Sequence, residues 1–232
     1  MNTPPRILLN MAVGHHMERE CELIISSYVR QVSDAGAVPF LIPSLEKAVN
    51  INSLLDIADA VVLIGGRDYP AEYYGEKNHP ETQRDRIRPH FDIAFAREVL
   101  RRDIPVLGIC AGCQLLNIVT GGKLIQHLPK APAHVGGTSH NATIIADGFL
   151  TEATGKKAGE SIKVNSFHHQ GIDPEHLGKD LVITARAYDG TVEAVEIPGK
   201  RMVLGVQFHP ERMDDLAPLI FNYLTAQAKN YR

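Results

Sequence analysis

Residues 104–125 constrain this chain more than any other stretch. The run Ile104-Pro-Val-Leu-Gly-Ile-Cys-Ala-Gly-Cys-Gln114 is apolar up to Ile109 and then passes at once into a helical pattern. That places Cys110 on a sharp strand-to-helix turn, with Gly108 and Gly112 flanking it at i−2 and i+2. A backbone bent this tightly leaves little space for β-carbons beside the thiol. At the mouth of a helix, unpaired N–H groups and the positive end of the dipole favour a thiolate. G-x-C-x-G is the cysteine form of the serine elbow G-x-S-x-G.

Upstream of the elbow, short apolar runs alternate with amphipathic segments. The pattern predicts strands at 7–9, 38–42, 60–64 and 104–109, and helices at 18–35 (closed by Gly36), 45–57 and 89–102. Pro89 suits a first helical turn, where its missing N–H costs nothing. Such alternation implies a mostly parallel sheet covered on both faces. After the elbow the signals shift to strands at 142–146, 161–164, 181–187, 192–197 and 202–206, with Asp189-Gly190 as a hairpin turn. A final helix is expected at 215–228. The expectation is a single α/β domain spanning 1–232, with extra antiparallel strands in its C-terminal half.

A net charge of −3 offers nothing to nucleic acid or an anionic membrane. No apolar run approaches the ~18 residues of a membrane span, and the N-terminus lacks a signal-peptide core. Three cysteines in 232 residues do not make a disulfide scaffold and suit a reducing compartment, so the reading is cytoplasmic.

A cysteine nucleophile needs a base, and the base needs a group to orient it. Roughly a hundred residues past Cys110, the buried-type strand Val203-Leu-Gly-Val-Gln-Phe-His-Pro-Glu211 ends in such a pair. His209 and Glu211 stand two apart around a rigid proline. Two further motifs are Gly65-Gly-Arg-Asp68 with Tyr73-Tyr-Gly-Glu76, and Val164-Asn-Ser-Phe-His-His-Gln170.

Together these four motifs, in this order from about Arg6 to Leu224, resemble the class I (triad) glutamine amidotransferases. Within them they are similar to the γ-glutamyl-γ-aminobutyrate hydrolase-like, peptidase C26 branch. The resemblance implies a three-layer, flavodoxin-like α/β fold, with Cys110 as nucleophile, His209 as general base and acid, and Glu211 as the orienting carboxylate. The implied reaction is hydrolysis of a γ-glutamyl amide through a γ-glutamyl thioester, releasing glutamate and an amine. Attack on the amide builds an oxyanion, for which the backbone N–H groups of Ala111 and Gly66 are the expected donors. Gly65, Gln114 and the backbone around Phe167, His168 and His169 are the expected substrate contacts.

No metal or organic cofactor is called for. His168 and His169 diverge as neighbours, with no cysteine or carboxylate at metal spacing in the sequence. The family often has arginine where this chain has Ala111, its proline one place after Pro70, and Arg-Asp where this chain has Arg88-Pro89. These departures bear on the leaving amine. The partner is expected to be a small γ-glutamyl molecule. A homo-oligomer, or a separate synthase fed with ammonia by a glutaminase subunit, stays open. A regulatory protein on a dead fold conflicts with the intact Cys110, His209 and Glu211. Cys110-x-x-Cys113 also admits a redox pair, against core packing for Cys113. The charged stretch 76–88 reads as a solvated loop, and His15-His16 as a surface pair after the first strand.

Overall fold

Runs of four or five residues that are apolar throughout can be satisfied only as interior strands, because any helix of that length would leave its ends unpaired. The computed structural model, which describes residues 3–44, 50–83 and 88–231, builds its central strands from such runs, among a larger set of strands of mixed composition. In chain order they are β1 (Arg6–Asn10), β2 (Ala12–His16), β3 (Arg19–Leu23), β4 (Val38–Ile42), β5 (Ala60–Leu63), β6 (Val106–Ile109) and β7 (Leu124–Ile125). The second half adds β8 (Thr138–Ile144), β9 (Ser161–Ser166), β10 (Gly171–Ile172), β11 (Val182–Ala187), β12 (Val192–Glu196) and β13 (Val203–Val206). The helices are α1 (Ser26–Asp34), α2 (Ile51–Leu55), α3 (Arg88–Arg101), α4 (Ala111–Val119), α5 (Phe149–Thr154) and α6 (Leu216–Tyr231).

Nine of these strands, among the described residues, form one sheet in the order β4-β1-β5-β6-β13-β12-β11-β8-β9. From β4 to β13 every pair is parallel; from β13 outward every pair is antiparallel. Strand β13 is therefore the seam. It pairs Gly205 with Gly108 and Val206 with Ile109 on one side, and Ala194 with Val206 on the other. The expected mixed α/β architecture is the one observed.

Two apolar cores flank the sheet. On one face Tyr28 and Val32 of α1 and Ile220, Phe221 and Leu224 of α6 pack on Leu9, Val62 and Leu204. On the other, Phe91, Phe95 and Val99 of α3 and Leu115 and Leu116 of α4 cover Leu8, Val61 and Val106. Each such side chain, wholly buried, contributes about 1.5–3 kcal/mol of transfer free energy. The helix layers thus hold the sheet from both sides and leave its C-terminal strand edge free for a site.

Several boundaries differ from the sequence reading. The helix expected at 18–35 is instead the second strand of a hairpin, β2–β3, followed by α1 from Ser26. Met17 and Glu18 take φ of 48° and 63° in its turn, a left-handed pair that Asn-Gly would normally supply. His15 and His16 consequently lie on strand β2, exposed, rather than on a loop. Of the helix expected at 45–57 the described part is α2; residues 45–49 lie outside the described residues, as do 84–87 of the charged stretch. Helix α5 was not foreseen. Its first N–H groups, those of Phe149 and Leu150, donate to the carboxylate of Glu196 at 2.7 and 3.0 Å. The hairpin at Asp189-Gly190 forms as expected between β11 and β12.

Candidate active site

Strand β6 delivers Cys110 to the sheet edge, and the next residue opens α4. Cys110 has φ 53° and ψ −107°, outside the ordinary regions for a residue with a β-carbon, a strain of about 1–3 kcal/mol that the surroundings must impose. Two glycines make the turn feasible, though not by clearing space beside the thiol. A β-carbon on Gly108 would sit 2.6 Å from the Gly112 carbonyl, and one on Gly112 would run into the Leu63 carbonyl. Both glycines let α4 lie directly on β5 and β6.

Strand β13 ends beside β6, so His209 and Glu211 leave the neighbouring strand at the same edge. The His209 ring is placed by three contacts. Its Nδ1 lies 2.8 Å from Glu211 Oε1 and 3.4 Å from the Tyr28 hydroxyl. Its main chain is clamped at both ends by Asn165, whose Oδ1 accepts from His209 N at 2.8 Å and whose Nδ2 donates to His209 O at 2.9 Å. With Nδ1 committed to the carboxylate, Nε2 is left as the free ring nitrogen in the pocket that Cys110 also lines. Burial disfavours an imidazolium here, but the adjoining Cys110 charge and hydrogen bond, with Glu211 behind, outweigh it and raise the His209 pKa to about 9. The ring of Phe167 stands edge-on to His209 at 5.5 Å, with the Arg212 guanidinium 4.5 Å above it.

The Gly65-Gly66 loop is held by groups the sequence reading did not single out. Arg88, buried at the start of α3, donates to the carbonyls of Ile64 (2.7 Å) and Gly65 (2.9 Å) and pairs with Asp92 at 2.8 Å. Asp92 also accepts from Tyr69 Oη (2.6 Å) and Asn10 Nδ2 (2.8 Å), while Asn10 Oδ1 accepts from Ile64 N (2.8 Å). A trans peptide is planar, so a carbonyl fixed in one direction fixes the following N–H in the other. With the Ile64 carbonyl on Arg88, Gly65 N–H turns to Tyr28 Oη, which accepts it at 3.1 Å. With the Gly65 carbonyl on Arg88, Gly66 N–H likewise turns away from Arg88. The Tyr28 hydroxyl titrates well above its usual value because it is buried, with Glu211 and Cys110 nearby.

A pocket of about 580 Å³ opens over this arrangement, lined by Cys110, His209, Gly65, Gly66, Phe167, and Arg212, with an apolar wall from Ala12, Leu23, Ile24, Ile25, Tyr28 and Ile64. Three of the residues expected at the substrate have side chains engaged with other protein groups. Gln114 is buried and donates to the Gln170 carbonyl and to Gln207 Oε1, both at 3.1 Å. His169 Nε2 lies 3.0 Å from Asp68 Oδ2. His168 is buried, its pKa lowered to about 3 chiefly by desolvation, and it meets Glu193, a carboxylate that the linear sequence does not place near it. Among the described residues, no helix is long and apolar enough to cross a membrane.

A mixed sheet with a cysteine elbow at its edge and a His-Glu pair on the next strand defines the class I glutamine amidotransferase-like group. Comparison with known proteins places the chain within it: residues 7–211 match the peptidase C26 family, and the chain belongs to that family. A Mycobacterium tuberculosis protein named as a glutamine amidotransferase is 38% identical over 212 residues, covering 89% of this chain and 68% of its own length. The γ-glutamyl-γ-aminobutyrate hydrolase of Escherichia coli K12 is 30% identical over 198 residues, covering 79% of this chain and 76% of its own. A Thermoplasma acidophilum protein described as a GMP synthase subunit shares the fold, with a TM-score of 0.68 at 17% identity over 99% of this chain and 97% of that one. The chain is a glutamine amidotransferase-like hydrolase.

Proposed function

We propose that the chain is a stand-alone hydrolase of γ-glutamyl amines, with Cys110, His209 and Glu211 as its catalytic groups. The observation that carries this reading is that Glu211 holds His209 Nδ1 at 2.8 Å in the pocket that Cys110 and His209 line together. The Cys110 sulfur attacks the γ-carbonyl carbon, and the C=O electron pair moves to oxygen, met by the N–H groups of Gly66 and Ala111. The imidazolium of His209 gives its proton to the leaving nitrogen as the C–N bond breaks, leaving a thioester and a free amine. Water then loses a proton to His209 and attacks the thioester, and the thiolate departs as glutamate is released.

In this reading the leaving amine lies along the wall of Leu23, Ile24 and Ile25, and Arg212, which lines the same pocket beside Glu211 and Phe167, is the cation within its reach. That combination suits an aliphatic amine ending in a carboxylate, the chemistry in the Escherichia coli relative's name. Gln114, His168 and His169 support the loops around the pocket in this reading rather than contacting substrate. The test is glutamate release from γ-glutamyl-γ-aminobutyrate, γ-glutamyl-butylamine and glutamine. The expected order is acid-ended amine first, with kcat/KM of roughly 10⁴ M⁻¹s⁻¹ or above. The Cys110→Ala protein should be inert but folded, with His209→Asn nearly as damaged and Glu211→Gln less so. Substantial turnover by Cys110→Ala refutes the mechanism. If every γ-glutamyl amine is inert and glutamine is cleaved only after a second protein is added, the chain is a glutaminase subunit instead.

A further inference from the structure

Behind the pocket, three imidazoles converge on one buried carboxylate that the proposed hydrolysis does not use. Glu193, on β12, has no exposure to solvent. Its Oε1 lies 2.9 Å from His140 Nε2, 3.9 Å from His134 Nδ1 and 3.9 Å from His168 Nε2. The His134 ring centroid is 4.9 Å from that of His140 and 5.0 Å from that of His168. His134, His140 and Glu193 offer ligand atoms all within 4.8 Å of one another.

The outer contacts decide what these rings present to the carboxylate. His168 Nδ1 lies 2.8 Å from the Gln170 carbonyl, which can only accept, so Nδ1 carries the proton and Nε2 is a lone pair. His134 Nε2 lies 3.1 Å from Asp189 Oδ2, which puts its proton there and leaves Nδ1 as an acceptor, 3.1 Å from the Ser166 hydroxyl. The Ser166 hydroxyl meets the His134 lone pair, so the His168 Nε2 lone pair is the one that faces Glu193 without a donor, and a cation between them would satisfy both. His168 Nε2, His140 Nδ1 and Glu193 Oε2 are all buried without a hydrogen-bond partner. Buried polar atoms are rarely left so, and three of them on residues of one cluster mark it as a place for a ligand.

We propose that His134, His140, His168 and Glu193 form a buried site for one divalent transition-metal ion, of the zinc type. Three imidazoles and one carboxylate are borderline donors of the kind zinc accepts in a tetrahedral site. Zinc bonds of about 2.0–2.1 Å put neighbouring ligand atoms about 3.3 Å apart, and the separations of 2.9 to 3.9 Å from Glu193 bracket that spacing. Asp189 and the Gln170 carbonyl are the outer partners that metal-bound histidines characteristically have. The ion would tie β8 and β12 to the loop carrying Phe167, and so brace the rim of the pocket without touching the substrate.

The experiment uses tag-free protein from zinc-supplemented cells, before and after dipicolinate treatment. Metal is counted by plasma mass spectrometry, and Zn²⁺ or Co²⁺ is then returned. The expected result is about one zinc per chain, a Tm rise of about 5 °C or more at saturating Zn²⁺, and visible bands of tetrahedral Co²⁺ without sulfur charge transfer. Cys110→Ala should retain the ion, and Glu193→Gln should lose it. Asp189→Asn, which leaves all four ligands in place, should weaken binding about 10- to 100-fold, and it decides the matter should Glu193→Gln not fold. No retained metal together with no Tm shift overturns the proposal. So does binding that Cys110→Ala abolishes, or binding that Asp189→Asn leaves unchanged.

Discussion

Arg88→Met is the most informative single change outside the pocket, because one side chain holds both a buried charge and a backbone direction. Burial disfavours its charged form, but Asp92 and Tyr69 more than compensate, and the guanidinium stays protonated. Removing it leaves Asp92 at zero exposure with Tyr69 Oη at 2.6 Å and Asn10 Nδ2 at 2.8 Å as remaining partners. Breaking a buried pair costs about 3–5 kcal/mol, and these two donors put this case near the lower end. At a urea m-value of about 2–3 kcal/mol/M, the midpoint should fall by about 1–1.5 M. Adding Asp92→Asn should return part of that loss, since a neutral amide leaves no bare charge. The carbonyls of Ile64 and Gly65 also lose their fixed partner, and with it goes the placement of Gly66 N–H, the proposed oxyanion donor. Losing an oxyanion donor outright costs about 10²–10³ in kcat; a loosened one should cost about 10- to 100-fold, with KM within a few-fold. Urea unfolding and steady-state kinetics on the same preparation measure both. A midpoint within 0.3 M of wild type (roughly the extrapolation error), with kcat unchanged, would refute the argument that Arg88 orients this loop.

Three further outcomes are expected. The folded-state pKa of His209, about 9, lies above its ordinary 6.5, so the ring adds stability that is full below pH 6.5 and is lost as pH rises through 9. Cys110→Ala should flatten the slope of unfolding free energy over that window, and an unchanged slope would mean that Cys110 does not raise the imidazole. Gly66→Ala drives its β-carbon onto the Arg88 guanidinium and should lose both stability and kcat, whereas Gly75→Ala, with no neighbour at its β-carbon but a φ of 76°, should cost only about 1 kcal/mol in urea unfolding. Cys113 is fully buried and packs toward Gly205 of β13. Wild type and Cys113→Ala should therefore lose activity to peroxide and regain it with dithiol equally; a difference would restore the redox pair.

Strand positions in the parallel half were legible because each is a short apolar run ending in a glycine or a turn, as at Leu63 and Ile109. The hairpin β2–β3 was not. Arg19-Glu20-Cys21-Glu22-Leu23 is rich in helix formers, and its turn residues Met17 and Glu18 carry no sign of their left-handed backbone. Cys110, His209, Gly65, Gly66 and Phe167, far apart in the sequence, line one pocket, with Glu211 held against His209. The groups that hold them were invisible for a different reason. Arg88 and Tyr28 reach Gly65 and His209 from 23 and 181 positions away, and the sequence carries no sign of those pairings. An expected substrate contact such as Gln114 turns inward because Gln207, brought by β13, is there to receive it.

The seam at β13 also dictates when the pocket can come into being. Its register partner on β6 was synthesised roughly a hundred residues earlier, and β8, β9, β11 and β12 must find one another in between. Pairings of such long sequence separation are the slow ones, because the loop must close before the contact rewards it. A chain emerging from the ribosome can assemble β1, β4, β5 and β6 with their helices while Cys110 has neither His209 nor Glu211. Return of catalytic turnover after dilution from urea is therefore a clock for the β6–β13 ladder, and it should lag behind the recovery of helical circular dichroism.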